Sequence, residues 1–228
     1  GTGTIDLPDI HGQTNTIEAT GKVRGIVIAY DQYAQAKWVQ ILAGNNHVFV
    51  KSIAESPEGK LFVVGQYWEN IVLPDGFSVT DVQEHSSFLL SYSNEGELEV
   101  SKDFVGTDSS EIQNIALSQD KIILVISNNS ALDINMTESP VVNALLSAPI
   151  SNEDLYVVAY NAEYSFLWKK QFTCDAAQVP AYGLLINSDD EIYMIMNYSS
   201  TCFLDGTTTL GHQGLGDSVL VSVSSSGV

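Results

Sequence analysis

A frame that returns along the chain constrains this sequence more than any single motif. The stretch "YNAEYSFLWKKQF" sets Tyr160 eight positions before Trp168 and closes on Phe172. "YDQYAQAKWVQIL" repeats it with Tyr30, Trp38 and Leu42, and "YSNEGELEVSKDF" with Tyr92, Val100 and Phe104. Tyr30, Tyr92, Tyr160 and Val223 each end an apolar run, and they lie 62, 68 and 63 residues apart. Self-similarity at a fixed period marks an array of like units that must stack to bury their faces. Between these anchors recurs a hairpin, "SIAESPEGKLFVVG", "NIALSQDKIILVI" and "GLLINSDDEIYMIM", first anchored at Ile53, Ile115 and Leu184. A third element follows the hairpin, seen as "IVLPDG" and "FLDGTT", with "IDLPDI" near the start as the same element cut off from its hairpin.

The apolar runs are short, rich in Val, Ile, Leu, Phe and Tyr, and bounded by Gly, Asn, Asp and Ser, which is the pattern of strands. Runs such as "IILVI" and "LYVVAY" are apolar at consecutive positions, so both faces of those strands are expected under protein. Each unit then supplies four antiparallel strands. The expected fold is all-β, a β-propeller-like array of four-stranded blades with about three and a half repeats, about thirteen strands and essentially no helix. We take residues 1–228 as one repeat domain, with units at approximately 1–45 (partial), 46–106, 107–174 and 175–228 (partial). Two units are complete, and the end fragments leave a ring short of the four to eight blades that close one. More chain, association of copies or a distorted four-blade ring would finish it, and open strand edges favour self-association.

"DLYVVAYNAEYSFLWKKQF", followed by the apolar hairpin and "FLDGTTTLGHQGLGDSVLVSVSSSG", resembles the bacterial seven-bladed β-propeller repeat, the SBBP family. The likeness spans essentially the whole chain. It departs at Val100, which stands where tryptophan is expected, and in the glycine-free loop "NNSALDINMTESPVVNALLSAPISNED". The resemblance implies secretion or surface display in bacteria within large multi-module proteins, and no single activity.

Charge narrows the partners. With 9 basic against 28 acidic residues and a formal charge of -19, the 228-residue chain repels phosphate backbones and anionic headgroups. Nucleic acid is therefore not an expected partner, and no apolar run approaches the roughly 20 residues of a membrane helix. The opening "GTGTIDLPD" reads as a processing boundary with residues upstream.

Cys174 follows the tryptophan strand and Cys202 follows the second strand of the next hairpin, so antiparallel pairing puts both at one rim. A disulfide is expected there, stabilising by about 3 kcal/mol in the chain-entropy model and implying an oxidising, extracellular setting.

Catalytic chemistry finds no foothold. His11, His47, His85 and His212 show no metal-ligand spacing, and GxSxG elbows and phosphate loops are missing from the sequence. Asp189, Asp190 and Glu191 are calcium candidates by their adjacent carboxylates, against a plain turn role for the same residues. Asp6, Asp9, Asp75 and Asp205 recur in the third element as solvated loop residues or a rim lining. Trp38 and Trp168 read as repeated packing against a neighbouring blade. Trp68 has no counterpart in the other units, and with Tyr67 and His212 it is the candidate ligand contact. The expected role is a non-catalytic extracellular recognition or adhesion module that binds a glycan or protein, with a self-assembling spacer as the alternative.

Overall fold

The computed structural model describes residues 4–8, 14–18, 22–73, 78–80, 85–104, 110–129, 131–134, 136, 145–146, 154–175, 181–204, 208–211, 214 and 216–227. In chain order, a short hairpin of β1 (Thr4–Pro8) and β2 (Thr14–Glu18) precedes β3 (Gly25–Tyr30) and β4 (Ala36–Leu42). The next unit runs β5 (Val48–Glu55), β6 (Leu61–Tyr67), the short hairpin β7 (Asn70–Val72) and β8 (Ser78–Thr80), then β9 (Ser86–Tyr92) and β10 (Leu98–Phe104). It is followed by β11 (Ser110–Leu117), β12 (Lys121–Asn128), the hairpin β13 (Leu132–Asp133) and β14 (Leu145–Leu146), β15 (Asp154–Asn161) and β16 (Phe166–Cys174). The last unit has β17 (Ala181–Ile186), β18 (Ile192–Tyr198), the hairpin β19 (Cys202–Phe203) and β20 (Thr209–Leu210), and β21 (Asp217–Val223). The described residues contain no helix.

All strand pairs are antiparallel, and they build four main sheets: β3-β4, β5-β6-β9-β10, β11-β12-β15-β16 and β17-β18-β21. The thirteen strands of six residues or more all lie in these sheets. Register confirms the repeat at single-residue resolution, because Leu61 faces Tyr92, Ile122 faces Tyr160 and Ile192 faces Val223. Among the described residues the sheets are not closed into a ring, and no strand of the first is hydrogen-bonded to a strand of the last.

Alternation along each strand sends successive side chains to opposite neighbours. Along β6, Val63 packs toward the first sheet with Val27, Leu42 and Leu90, while Phe62 and Val64 pack toward the third with Leu124 and Val158. On β12, Ile122, Leu124 and Ile126 take up that second layer, and Ile123 and Val125 meet Met194, Met196 and Val221 of the fourth sheet. The strands β12 and β15 are buried at nearly every position for this reason. Each fully buried Leu, Ile or Val in these layers contributes about 1.5–3 kcal/mol.

The third recurring element of the sequence is itself a hairpin. β1-β2, β7-β8, β13-β14 and β19-β20 recur at equivalent points, the last three directly after the second strand of a unit. Its strands are only two to five residues long, too short to show a strand's period in the sequence. Three of the arms close the base of a core layer with alternate apolar residues: Ile71 and Leu73, Leu132 and Ile134, Cys202 and Leu204. Two of the arms also pair with the exit of the preceding fourth strand, Ala43 with Val72 and Thr173 with Phe203.

The cysteines belong to this docking. Cys174 and Cys202 are direct cross-strand partners on β16 and β19, bonded as a disulfide with Cα atoms 4.0 Å apart. The disulfide expected from the strand order is present, and it joins two adjacent paired strands. At the corresponding place two units earlier, Gly44 lies so close to the arm that a Cβ would fall 2.0 Å from the Asn70 carbonyl oxygen.

Trp38 and Trp168 repeat one device. The Trp38 indole N–H donates to the Asn94 carbonyl at 3.0 Å, and that of Trp168 to the Ser225 carbonyl at 3.0 Å, each on a turn of the next sheet. Their rings cover Gly96 and Gly227, whose φ of +84° and +83° is the left-handed conformation that favours glycine. A Cβ on Gly96 would lie 2.6 Å from the Trp38 ring. Where the fourth strand carries Val100 instead, the next sheet's turn carries Tyr164, at a φ of 63°. Its ring is 6.3 Å from Phe62 and packs against the core layer between the second and third sheets. A tyrosine on the turn thus replaces a tryptophan on the strand, and the missing frame residue is compensated from the neighbouring sheet. Val100→Trp alone should overpack this layer and cost about 1–3 kcal/mol in urea unfolding. Adding Tyr164→Gly should recover more than half of that loss; additive losses in the double variant would refute the exchange.

Candidate functional site

The two ends of the sheets differ in chemistry. One rim carries the hairpin tips 56–60, 118–121 and 187–191; the other carries the arms and the disulfide.

On the tip rim, the run Asp189, Asp190 and Glu191 forms an Asx turn. The Asn187 Oδ1 accepts the N–H groups of Asp189 at 2.9 Å and Glu191 at 2.9 Å, and Asp190 has a φ of 61°. The carboxylates diverge: Asp190 Oδ2 meets Lys121 Nζ at 2.5 Å, while Glu191 Oε2 accepts from Asn187 at 3.0 Å and from the Tyr193 hydroxyl at 2.7 Å. Among the described residues no three His, Cys, Asp or Glu side chains gather as a metal site. Lys121 also lies 3.2 Å from Asp120 and ties the third sheet's tip to the fourth's. Its hydrogen bond to Asp190 holds the ammonium pKa above its usual value and the Asp190 carboxyl below its own. A cavity of ≈ 260 Å³ opens between the second and third tips, floored by Phe62, Ile122 and Tyr164 and edged by Glu58, Lys60 and Lys121.

The arm rim holds the other candidates, and it separates Tyr67 from Trp68. Tyr67 is fully buried in the first core layer and its hydroxyl donates to Asp103 at 2.6 Å. It presents no surface to a ligand because position 67 is an inward position of β6. Trp68 is half-buried just beyond the strand end, where its backbone N–H donates to the His47 carbonyl at 2.9 Å and Glu69 takes a φ of 67°. Its ring is 4.8 Å from that of His47, 4.8 Å from His85 and 5.9 Å from Phe49. His47 is fixed through Nδ1, which accepts the Val23 N–H at 2.9 Å. Asn46 Nδ2 donates to Glu69 at 3.0 Å, and Asn45 N to Asn70 Oδ1 at 2.5 Å, clamping the connection 43–47 against the Trp68 turn. The result is an aromatic group with two imidazoles against one indole, able to stack on a flat apolar face and to hydrogen-bond its edge. The sequence signals that pointed to Trp68 did not reach His47, His85 and Phe49, since they come from separate strands and loops. His212, Asp9, Asp75, Asp205 and His11 lie outside the described residues; Asp6 accepts from the Thr16 hydroxyl at 2.8 Å across β1-β2.

No protein-family model matches the chain, and no curated protein does. Among solved structures, it is similar to a protein of unknown function from Bacteroides caccae, at 10% identity over 90% of this chain and 92% of that one. The TM-score is 0.29. No helix of the described residues is long and apolar enough to cross a membrane.

The Lys121–Asp190 bridge gives a pH test. A carboxyl held low in the fold adds stability that is present above its ordinary value of 3.8 and is lost as pH falls through the folded value. The raised lysine adds stability that is lost only as pH rises above 10.5. Asp190→Asn, which keeps a residue tolerant of positive φ, should lower stability at pH 7 by up to about 1 kcal/mol. Denaturant midpoints for wild type and variant should converge as the pH falls below 3.8; a gap that persists there would show that the carboxylate charge is not the cause.

Proposed function

We propose that the four sheets are consecutive blades of a β-propeller-type repeat and that the chain is a non-catalytic, secreted recognition module. It binds a glycan or protein through the arm rim. The cluster of Trp68 with His47, His85 and Phe49 carries this reading. Repeated residues such as Trp38 and Trp168 are explained by packing, whereas Trp68 aligns with Asn129 and Ser199 and has no packing duty common to the units. A half-buried indole with imidazoles at its edge matches the mixed apolar and hydrogen-bonding character of sugar rings and aromatic peptide side chains. The Cys174–Cys202 disulfide is compatible with an extracellular location. The resemblance to secreted propeller repeats agrees with it.

The spacer reading is favoured by a different observation: among the described residues β21 is the last strand of a three-stranded fourth sheet. Glycan-array and surface-glycoprotein screening of the wild type, with Trp68→Ala as the control, separates the two. The recognition reading expects a defined ligand whose binding falls at least about tenfold, or 1.4 kcal/mol, in the variant while the unfolding midpoint holds. Absence of any ligand, or equal binding by Trp68→Ala, would leave the spacer role.

A further inference from the structure

The outer face of the fourth sheet is built like the covered faces of the second and third. Leu185, Ile195 and Leu220 are 55%, 45% and 66% exposed, although Ile195 pairs with Leu220 and their side chains share one side of the sheet. Register places Ile195 at the position of Val64 and Val125, and Leu220 at that of Leu89 and Val157. All four of those residues are fully buried, the first pair layer under the third sheet and the second under the fourth. Leu185 corresponds to Ala54 and Ala116, so the last face is bulkier than the two that are covered.

What covers such a face inside the molecule is always the opposite side of another unit. The residues that do the covering include Tyr156 and Val158, and before them Phe88 and Leu90. Their counterparts in the first sheet are Ile26 and Ile28, which are only half-buried and point away from the second sheet. Their strand partners are Ile41 and Val39. At the equivalent fourth-strand positions the other units carry Ser101 and Asp103, or Lys169 and Gln171. Only the first sheet is apolar across both strands there, which is the complement that the enlarged fourth face requires.

We propose that the outer face of the fourth sheet is a docking surface for a second copy of this chain, which seats the outer face of its first sheet on Leu185, Ile195 and Leu220. The contact is head-to-tail and repeats the stacking within the chain, so it propagates to a ring where the rotation closes and to a filament where it does not. Each copy carries a formal charge of -19, so copies repel at a distance and the apolar contact opposes that repulsion. Association should therefore strengthen with salt, the reverse of a contact made by ion pairs.

Sedimentation velocity tests this on wild type, Leu220→Glu and Ile28→Glu, each first shown by circular dichroism and unfolding midpoint to be folded. Leu220→Ser and Ile28→Ser replace any variant that is not. Wild type should form dimers or larger species, more strongly in about 0.5 M sodium chloride, where the Debye length is about 4 Å. Each variant alone should be monomeric. An equimolar mixture should form a one-to-one pair, because each variant retains the face that the other lacks. A wild type that stays monomeric in high salt overturns the proposal. So does Leu220→Glu that associates like wild type, or Ile28→Glu that does so, which would assign the partner's contact to another surface.

Discussion

Burial of a sheet on both of its faces is the condition on which the rest of this structure depends. A strand whose side chains alternate between two neighbours must be apolar throughout, and β12 and β15 satisfy that at almost every position. One interior sheet therefore takes part in two cores, and no unit can bury its own apolar surface alone. The arms follow from the same need. A layer between two sheets is open at its base, and the alternating apolar pairs of the short hairpins close it. The Cys174–Cys202 bond and the close approach at Gly44 are two ways of fixing an arm to the strand before it.

Much of this was legible in the sequence because it is periodic. The anchors Ile53, Ile115 and Leu184 prove to be register equivalents, facing Val63, Leu124 and Met194. Periodicity also separated the tryptophans, since Trp38 and Trp168 recur and Trp68 does not. The exchange of Trp38 and Gly96 for Val100 and Tyr164 was not legible. It joins residues 64 positions apart on different sheets, and Val100 by itself looks like the loss of a packing residue. The arms were missed because a two-residue strand such as Cys202–Phe203 has no period to detect.

The candidate site was legible in part for a related reason. An unrepeated aromatic can be found by comparing units, whereas its companions cannot: His47 and Phe49 lie at the start of β5 and His85 precedes β9, so only the fold brings them to Trp68. Tyr67, one residue away in sequence, belongs to the core because neighbouring positions near a strand end point in opposite directions. The acidic run 189–191 follows the same logic in reverse. Its side chains are adjacent in sequence, but the turn sends Asp190 to Lys121 and Glu191 to Tyr193.

If stacking between sheets holds the array together, stability must follow the number of covered faces. Native-state hydrogen exchange read by mass spectrometry on the disulfide-intact protein, at a concentration and salt where it is monomeric, tests this most directly. The amides of β12 and β15, in a sheet covered on both sides, should exchange only through global unfolding. Those of β18 and β21, where burial alternates, should open locally at lower free energy. Equal protection across the third and fourth sheets, or greater protection in the fourth, would contradict the account.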